Sequence, residues 1–182
     1  MLPALLAVVA MLAAEAPPAP SVLLPLMNAR VPLAGVLSGG QPTAEQIALA
    51  ARAGFRTVIN LRTEQERGFE WEREAVEASG MRYVQVPVAG ASGLTRDNAE
   101  RLDRELERAA AEGPVLLHCA SGNRIGALLA LRAAWLEGVD PEQALQYGRD
   151  SGLAGLEAVT SELLGLAPPA AAPQPTPSPT PR

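Results

Sequence analysis

The sequence predicts an α/β domain built around a largely parallel β-sheet. Short apolar runs at 55–61, 81–88 and 115–117 have the length and the residue types of buried strands. Segments with helical periodicity separate these runs from one another. Because strands that alternate with helices pair in parallel, this order indicates one sheet with helices packed against it.

The first part of the domain combines weak strand signals with two helix signals. Residues 22–37 are apolar but contain prolines and a glycine, which favours one or two short edge strands. Thr43 and Gln46 match a capping box, so a helix is expected over 44–53. The charge-rich run over 63–79 predicts a second helix whose alternating charges face solvent.

The second part of the domain is mainly helical apart from the third strand. Thr95 can cap a helix that runs to Ala111 with an apolar inner face. A further helix is expected over 125–137, directly after the strand and its loop. An Asp-Pro pair predicts the start of a helix over 141–149, and a last helical segment covers 153–164.

The two ends of the chain differ in composition from the domain. An apolar run over 1–14 predicts a signal peptide, with an Ala/Pro-rich leader to residue 20. The expected location is therefore periplasmic or secreted, with a membrane tether through an uncleaved leader as the alternative. Residues 167–182 are Pro-rich and predict a disordered tail, which leaves 21–166 as the folded domain.

Composition excludes several classes of function. Every basic residue is arginine, so Schiff-base chemistry and the lysine-containing phosphate loop of nucleotide hydrolases are ruled out. One histidine and one cysteine cannot form a zinc finger or a disulfide. A formal net charge of -5 argues against a nucleic-acid partner. No metal or other cofactor is predicted, and nucleophilic catalysis by Cys119 remains.

Cys119 lies where the third strand ends and a helix is about to begin. Backbone N–H groups converge at such a position and favour a thiolate or a bound oxyanion. Arg124 adds a planar fork of donors that suits two oxygens of a phosphate-like anion. His118 should point to the opposite side of the strand, so it is expected to support the loop rather than act as a base.

The run from His118 to Arg124 resembles the signature loop of cysteine-dependent protein phosphatases, in their dual-specificity branch. It is more similar still to the phosphatase-like domain of beta-lactamase-hydrolase-like proteins. Residues 38–43 (SGGQPT), 54–62 (GFRTVINLR) and 83–88 (YVQVPV) resemble further blocks of that group. The resemblance implies a protein tyrosine phosphatase-like α/β fold, with four or five strands flanked by helices.

The resemblance also implies the reaction and the site residues. Cys119 would form a cysteinyl-phosphate while Arg124 and the loop hold the phosphoryl oxygens; the anion-binding loop residues are Ala120, Ser121, Gly122 and Asn123. In the family, an upstream Asp protonates the leaving group, but the matching loop over 89–93 contains no acid. Asp97 is the nearest candidate, although an acid in the first turn of a helix also has an ordinary role. Arg62 could meet the substrate or form a salt bridge.

Two departures from the family pattern keep other functions open. The superfamily usually has one residue more between the cysteine and the arginine, and a hydroxyl residue where Ile125 stands. The shorter loop resembles that of rhodanese-type sulfurtransferases, in which Cys119 would carry a persulfide. A non-catalytic anion-binding module is the third alternative. The expected substrate is a phosphorylated or sulfane-sulfur small molecule or protein, and no stable membrane span is expected.

Overall fold

The computed structural model describes residues 24–166, and a single five-stranded sheet runs through them in the order β1-β2-β5-β3-β4. The strands are β1 Arg30–Leu33, β2 Val36–Gly39, β3 Thr57–Asn60, β4 Arg82–Gln85 and β5 Val115–His118. Only the β1–β2 pair is antiparallel. The prediction of an α/β domain with a largely parallel sheet is thus confirmed. The predicted leader and the predicted Pro-rich tail lie outside the described residues.

Six α-helices and one short 3-10 helix flank the sheet in this part of the chain, and the last three α-helices follow the final strand. They are α1 Ala44–Arg52, α2 Glu72–Ala78, α3 Arg96–Glu112, α4 Asn123–Leu136, α5 Pro141–Asp150 and α6 Glu157–Leu163, with the 3-10 helix at Gly90–Gly93. The predicted caps are present: Thr43 forms a capping box with Gln46, and Thr95 caps α3. None of these helices is long and apolar enough to span a bilayer.

The sheet divides the hydrophobic core into two clusters. Val115 and Leu117 of β5 belong to one cluster, which α3 and α4 cover, whereas Leu116 belongs to the other, which α1 and α2 cover. Successive side chains on a strand alternate in this way. As predicted, the side chains of His118 and Cys119 therefore lie on opposite faces, with Cys119 in the cluster of α3 and α4.

Two predicted elements are wrong in extent or position. The helix expected over 63–79 is only α2, because residues 63–71 form turns, and Gly68 has a left-handed φ of 90°. The edge-strand prediction for 22–37 fits β1 alone. Strand β2 pairs with both β1 and β5, so it lies inside the sheet despite the prolines before it.

Close contact between α4 and α5 fixes the start of α4, where the candidate site begins. A Cβ atom at Gly126 would overlap the backbone N of Leu153 and lie 2.5 Å from the carbonyl O of Gly148. Only glycine at position 126 lets the two helices approach to this distance.

We expect Gly126→Ala to lower the free energy of unfolding by about 1–3 kcal/mol, the usual cost of overpacking, although alanine favours helix formation. Urea unfolding of the full chain measures this change. Gly155→Ala is the matched control, because its Cβ would meet only Asn123 Nδ2 at 3.7 Å. An equal effect of both substitutions would contradict the proposed packing constraint.

Candidate active site

The candidate site lies at the edge of the sheet where its parallel strands end. Cys119 follows β5, Leu61 follows β3, and Val88 lies shortly after β4. The carboxyl ends of parallel strands meet at one edge, so loops that are distant in sequence come together here.

Cys119 is buried, with 1% of its surface exposed. Its Sγ accepts a hydrogen bond of 3.1 Å from the backbone N of Gly122, the N-cap residue immediately before α4. Gly122 has a φ of 92°, which glycine adopts without strain. The thiol is therefore held at the N-terminus of a long helix with a backbone donor directed at it.

The segment that follows β2 holds the loop between Cys119 and α4 in place. Gln41 N donates to the carbonyl O of Ala120 at 3.2 Å, and Gly40 forms a bridge with Ser121. A Cβ at Gly40 would lie 2.9 Å from that same carbonyl, so this approach requires glycine. Ala120 and Ser121 themselves are exposed at the surface of the loop.

The side chain of Asn123 links the loop to the turn before α6. Its Oδ1 accepts hydrogen bonds from Ala154 N at 2.8 Å and Leu156 N at 3.3 Å. Asn123 therefore contributes to the position of the loop through its side-chain oxygen.

Arg124 is held by a two-pronged ion pair with Glu66. Nη1 and Nη2 donate to the two carboxylate oxygens at 2.6 and 2.9 Å, and Nη1 also donates to Val88 O at 3.0 Å. Nε and the second N–H of Nη2 have no nitrogen or oxygen acceptor within 24–166, so one edge of the guanidinium is available for an anion. Hydrogen bonding to Glu66, followed by interaction with Cys119, raises the pKa of Arg124 although burial opposes it.

Glu66 is an orienting group and not a proton donor. The hydrogen bond from Arg124 is the main cause that lowers the pKa of Glu66 to about 2, so its carboxyl is ionised at neutral pH. Arg62 reinforces it, since its Nε lies 3.0 Å from Glu66 while its Nη1 donates to Gln41 Oε1 at 2.7 Å. Of the two roles considered for Arg62, the salt bridge is the one present.

A fully buried carboxylate, that of Glu72, lies behind the loop. It accepts hydrogen bonds from Asn60 Nδ2 at 2.7 Å, Gln41 Nε2 at 2.7 Å and the Tyr83 hydroxyl at 3.3 Å. His118 Nε2 is 3.0 Å from Oε1, although not at a hydrogen-bonding angle. Burial is the main cause that raises the pKa of Tyr83 to about 12, so the hydroxyl remains a donor.

His118 contacts the backbone at the start of the loop. Its ring is fully buried, and its Nδ1 lies 3.4 Å from the carbonyl O of Cys119. The ring faces Glu72 and not the Cys119 thiol, so it is not placed to take a proton from that thiol.

Asp97 is exposed at the second residue of α3. Within the described part of the chain its carboxylate forms no ion pair and no hydrogen bond. No group of three or more His, Cys, Asp or Glu side chains between residues 24 and 166 is arranged to hold a metal ion.

Glu66 and Glu72 are the site residues that sequence reasoning missed. Both belong to the run that was expected to form a solvent-facing helix surface. Their position in the sequence could have indicated this role. Both follow β3, which ends at the same edge of the sheet as β5, and both lie close to Arg62 in sequence. An acid in that position can reach a basic residue on another loop.

A family described as "Beta-lactamase hydrolase-like protein, phosphatase-like domain" matches residues 35–135, more than half of the chain. The chain belongs to this family. Both the predicted family and the phosphatase-type α/β fold are thereby confirmed.

Two relatives illustrate the similarity in sequence. The beta-lactamase hydrolase-like protein of Xylella fastidiosa is 38% identical over 96 residues, which are 50% of this chain and 22% of that protein. The dual specificity protein phosphatase TpbA of Pseudomonas aeruginosa is 33% identical over 108 residues, which are 58% of this chain and 45% of TpbA. The chain therefore matches less than half of either relative.

Solved structures share the fold. A phosphatase candidate from Shewanella putrefaciens CN-32 superposes with a TM-score of 0.62 at 25% identity, covering 78% of this chain and 93% of the other. The structure of P. aeruginosa TpbA in complex with phosphotyrosine gives a TM-score of 0.56 at 22% identity, covering 74% and 79%.

We expect Glu66→Gln to destabilise the protein in a pH-dependent manner. Because the pKa of Glu66 falls from 4.5 to about 2 on folding, its stabilising effect is present above pH 4.5 and is lost as the pH falls toward 2. The difference in unfolding free energy between wild type and Glu66→Gln should therefore be largest near neutral pH. Urea unfolding from pH 2 to 7 measures it, with the exposed neighbour Glu64→Gln as control. A difference that is constant with pH would contradict the ion pair.

Proposed function

We propose that this protein hydrolyses phosphomonoesters through a cysteinyl-phosphate on Cys119. The observation that carries the proposal is that the Cys119 thiol and the available edge of Arg124 meet at one loop, in a chain of a phosphatase-like family. The thiolate attacks phosphorus, the bond to the leaving oxygen breaks, and that oxygen takes a proton. Water then attacks the phosphorus, breaks the P–S bond, and releases phosphate and the thiolate.

The other residues of the loop stabilise charge as the reaction proceeds. Nε and Nη2 of Arg124 bind two phosphoryl oxygens, while Glu66 keeps the guanidinium in place. Inward N–H groups of the loop bind the remaining charge. Donors held in position before the substrate arrives are worth about 2.7–4 kcal/mol each in transition-state stabilisation.

The substrate is a phosphorylated protein or small molecule in this proposal. TpbA has been crystallised with phosphotyrosine, which supports an aryl phosphate as the first substrate to test. An open cleft of about 570 Å³ lies beside the segments that follow β3 and β4. Its walls include Arg73, Tyr83, Pro87 and Arg101.

The sulfurtransferase alternative receives less support. Its sequence basis was the short loop between Cys119 and Arg124. The named relatives, however, are phosphatases or phosphatase-like proteins. The two reactions are separable in one assay series.

We expect Cys119→Ser to lower the hydrolysis of p-nitrophenyl phosphate by at least about a thousandfold, since a serine hydroxyl is a far weaker nucleophile here. Steady-state kinetics measure the loss, and Ser79→Ala, at the C-cap of α2 just before β4 begins, is the control. Thiocyanate formation from thiosulfate and cyanide, without phosphate release, would instead support sulfur transfer. Phosphate binding with neither activity would support the anion-binding module.

Asp97 is proposed as the group that protonates the leaving oxygen. Replacing it by Asn should then slow phenyl phosphate by about 10²–10⁴-fold, while 2,4-dinitrophenyl phosphate, whose leaving group needs no proton, should be little affected. The comparison of kcat for both esters tests this, with Glu100→Gln on the same helix as control. Equal effects on the two esters would remove Asp97 from the mechanism.

A further inference from the structure

One peptide group connects a residue outside the loop to the thiol. Asn28 Nδ2 donates to the carbonyl O of Ser121 at 3.0 Å, and Gly122 N donates to Cys119 Sγ at 3.1 Å. The Ser121 carbonyl and the Gly122 N–H belong to the same planar peptide unit and point in opposite directions. Asn28 and Cys119 therefore hold the two ends of one peptide.

The backbone at Asn28 is adapted to this contact. Its φ of 53° makes it the single non-glycine residue with positive φ in the described part of the chain. Asparagine adopts this left-handed conformation more readily than other residues with a side chain. The preceding residue is also anchored, because Met27 O accepts a hydrogen bond of 2.8 Å from Gly40 N.

The orientation of this peptide decides what the loop presents to an anion. With the Ser121 carbonyl held outward, the Gly122 N–H faces the thiol and the anion that the thiol would attack. If the peptide rotated, a carbonyl oxygen would replace this donor and repel both charges. The other outward carbonyl, that of Ala120, is held by the backbone N of Gln41, which no side-chain substitution removes.

We propose that Asn28 is a positioning residue that keeps the Ser121–Gly122 peptide with its N–H directed at Cys119 and at the bound oxyanion. The hydrogen bond from Asn28 also polarises the peptide, which strengthens the bond that Gly122 donates. The proposal rests on the proposed phosphatase function for its consequence in catalysis. The anion-binding step itself does not need turnover.

Three forms of the full chain test this role. Asn28→Gly keeps the left-handed backbone accessible and removes the amide, whereas Asn28→Asp keeps the shape but places an acceptor against the Ser121 carbonyl. Met27→Ala is the control, since that side chain is 62% exposed beside Asn28. Tungstate binding by calorimetry, the pH dependence of Cys119 alkylation and the thermal unfolding midpoint are measured for each.

Loss of a hydrogen bond that supports a charged group should weaken tungstate binding by about tenfold to a hundredfold in Asn28→Gly, and further in Asn28→Asp. The midpoint of Cys119 alkylation should move to higher pH in both. The other charged or titratable groups on the elements packed around the thiol, Arg124 with Glu66 and His118 with Glu72, are unchanged in these variants.

Unchanged tungstate affinity and an unchanged alkylation midpoint, with only a lower unfolding temperature, would overturn the proposal and leave Asn28 a purely structural role. Failure of the proposed function is recognised separately. In that case the wild type releases no phosphate from any ester, yet Asn28→Gly still weakens tungstate binding.

Discussion

A carboxylate that is fully excluded from water, that of Glu72, constrains the whole active-site end of the molecule. A buried charge of this kind is tolerated only when hydrogen bonds replace its lost hydration. Its partners come from β3 with Asn60, from β4 with Tyr83, and from the segment after β2 with Gln41, while His118 of β5 lies alongside. Four strands are thereby held in one arrangement, and any shift of a strand would leave part of the charge without a partner.

The polar contacts continue from this buried group to the anion site. Gln41 donates to Glu72 through its amide nitrogen and accepts from Arg62 through its oxygen. Arg62 pairs with Glu66, which in turn holds Arg124. The guanidinium is therefore oriented before any anion binds, which is the condition under which such donors are most effective in catalysis. The same Gln41 fixes the Ala120 carbonyl, so the core and the loop share one support.

What could be predicted from the sequence depended on how local the determining interaction is. Thr43 and Gln46 cap a helix through contacts within four residues, and the strand, glycine and helix around Cys119 are equally local, so both were expected correctly. Glu66 meets Arg124 across 58 residues, a contact that charge periodicity cannot reveal. An acid that faces solvent and one that binds a distant arginine have the same local pattern. The role of Asn28 was not predicted for the same reason, since its partner Ser121 lies 93 residues away.

The position of β5 between β2 and β3 has a consequence for folding during synthesis. These two strands leave the ribosome long before β5, and until it arrives each has an open edge on the side that faces the other. Pairing that must wait for such distant residues is slow and exposes apolar surface in the meantime. The strand that closes the sheet is also the one that carries Cys119. A nascent chain therefore presents no cysteine until the strand that completes the sheet has been made, because Cys119 directly follows β5.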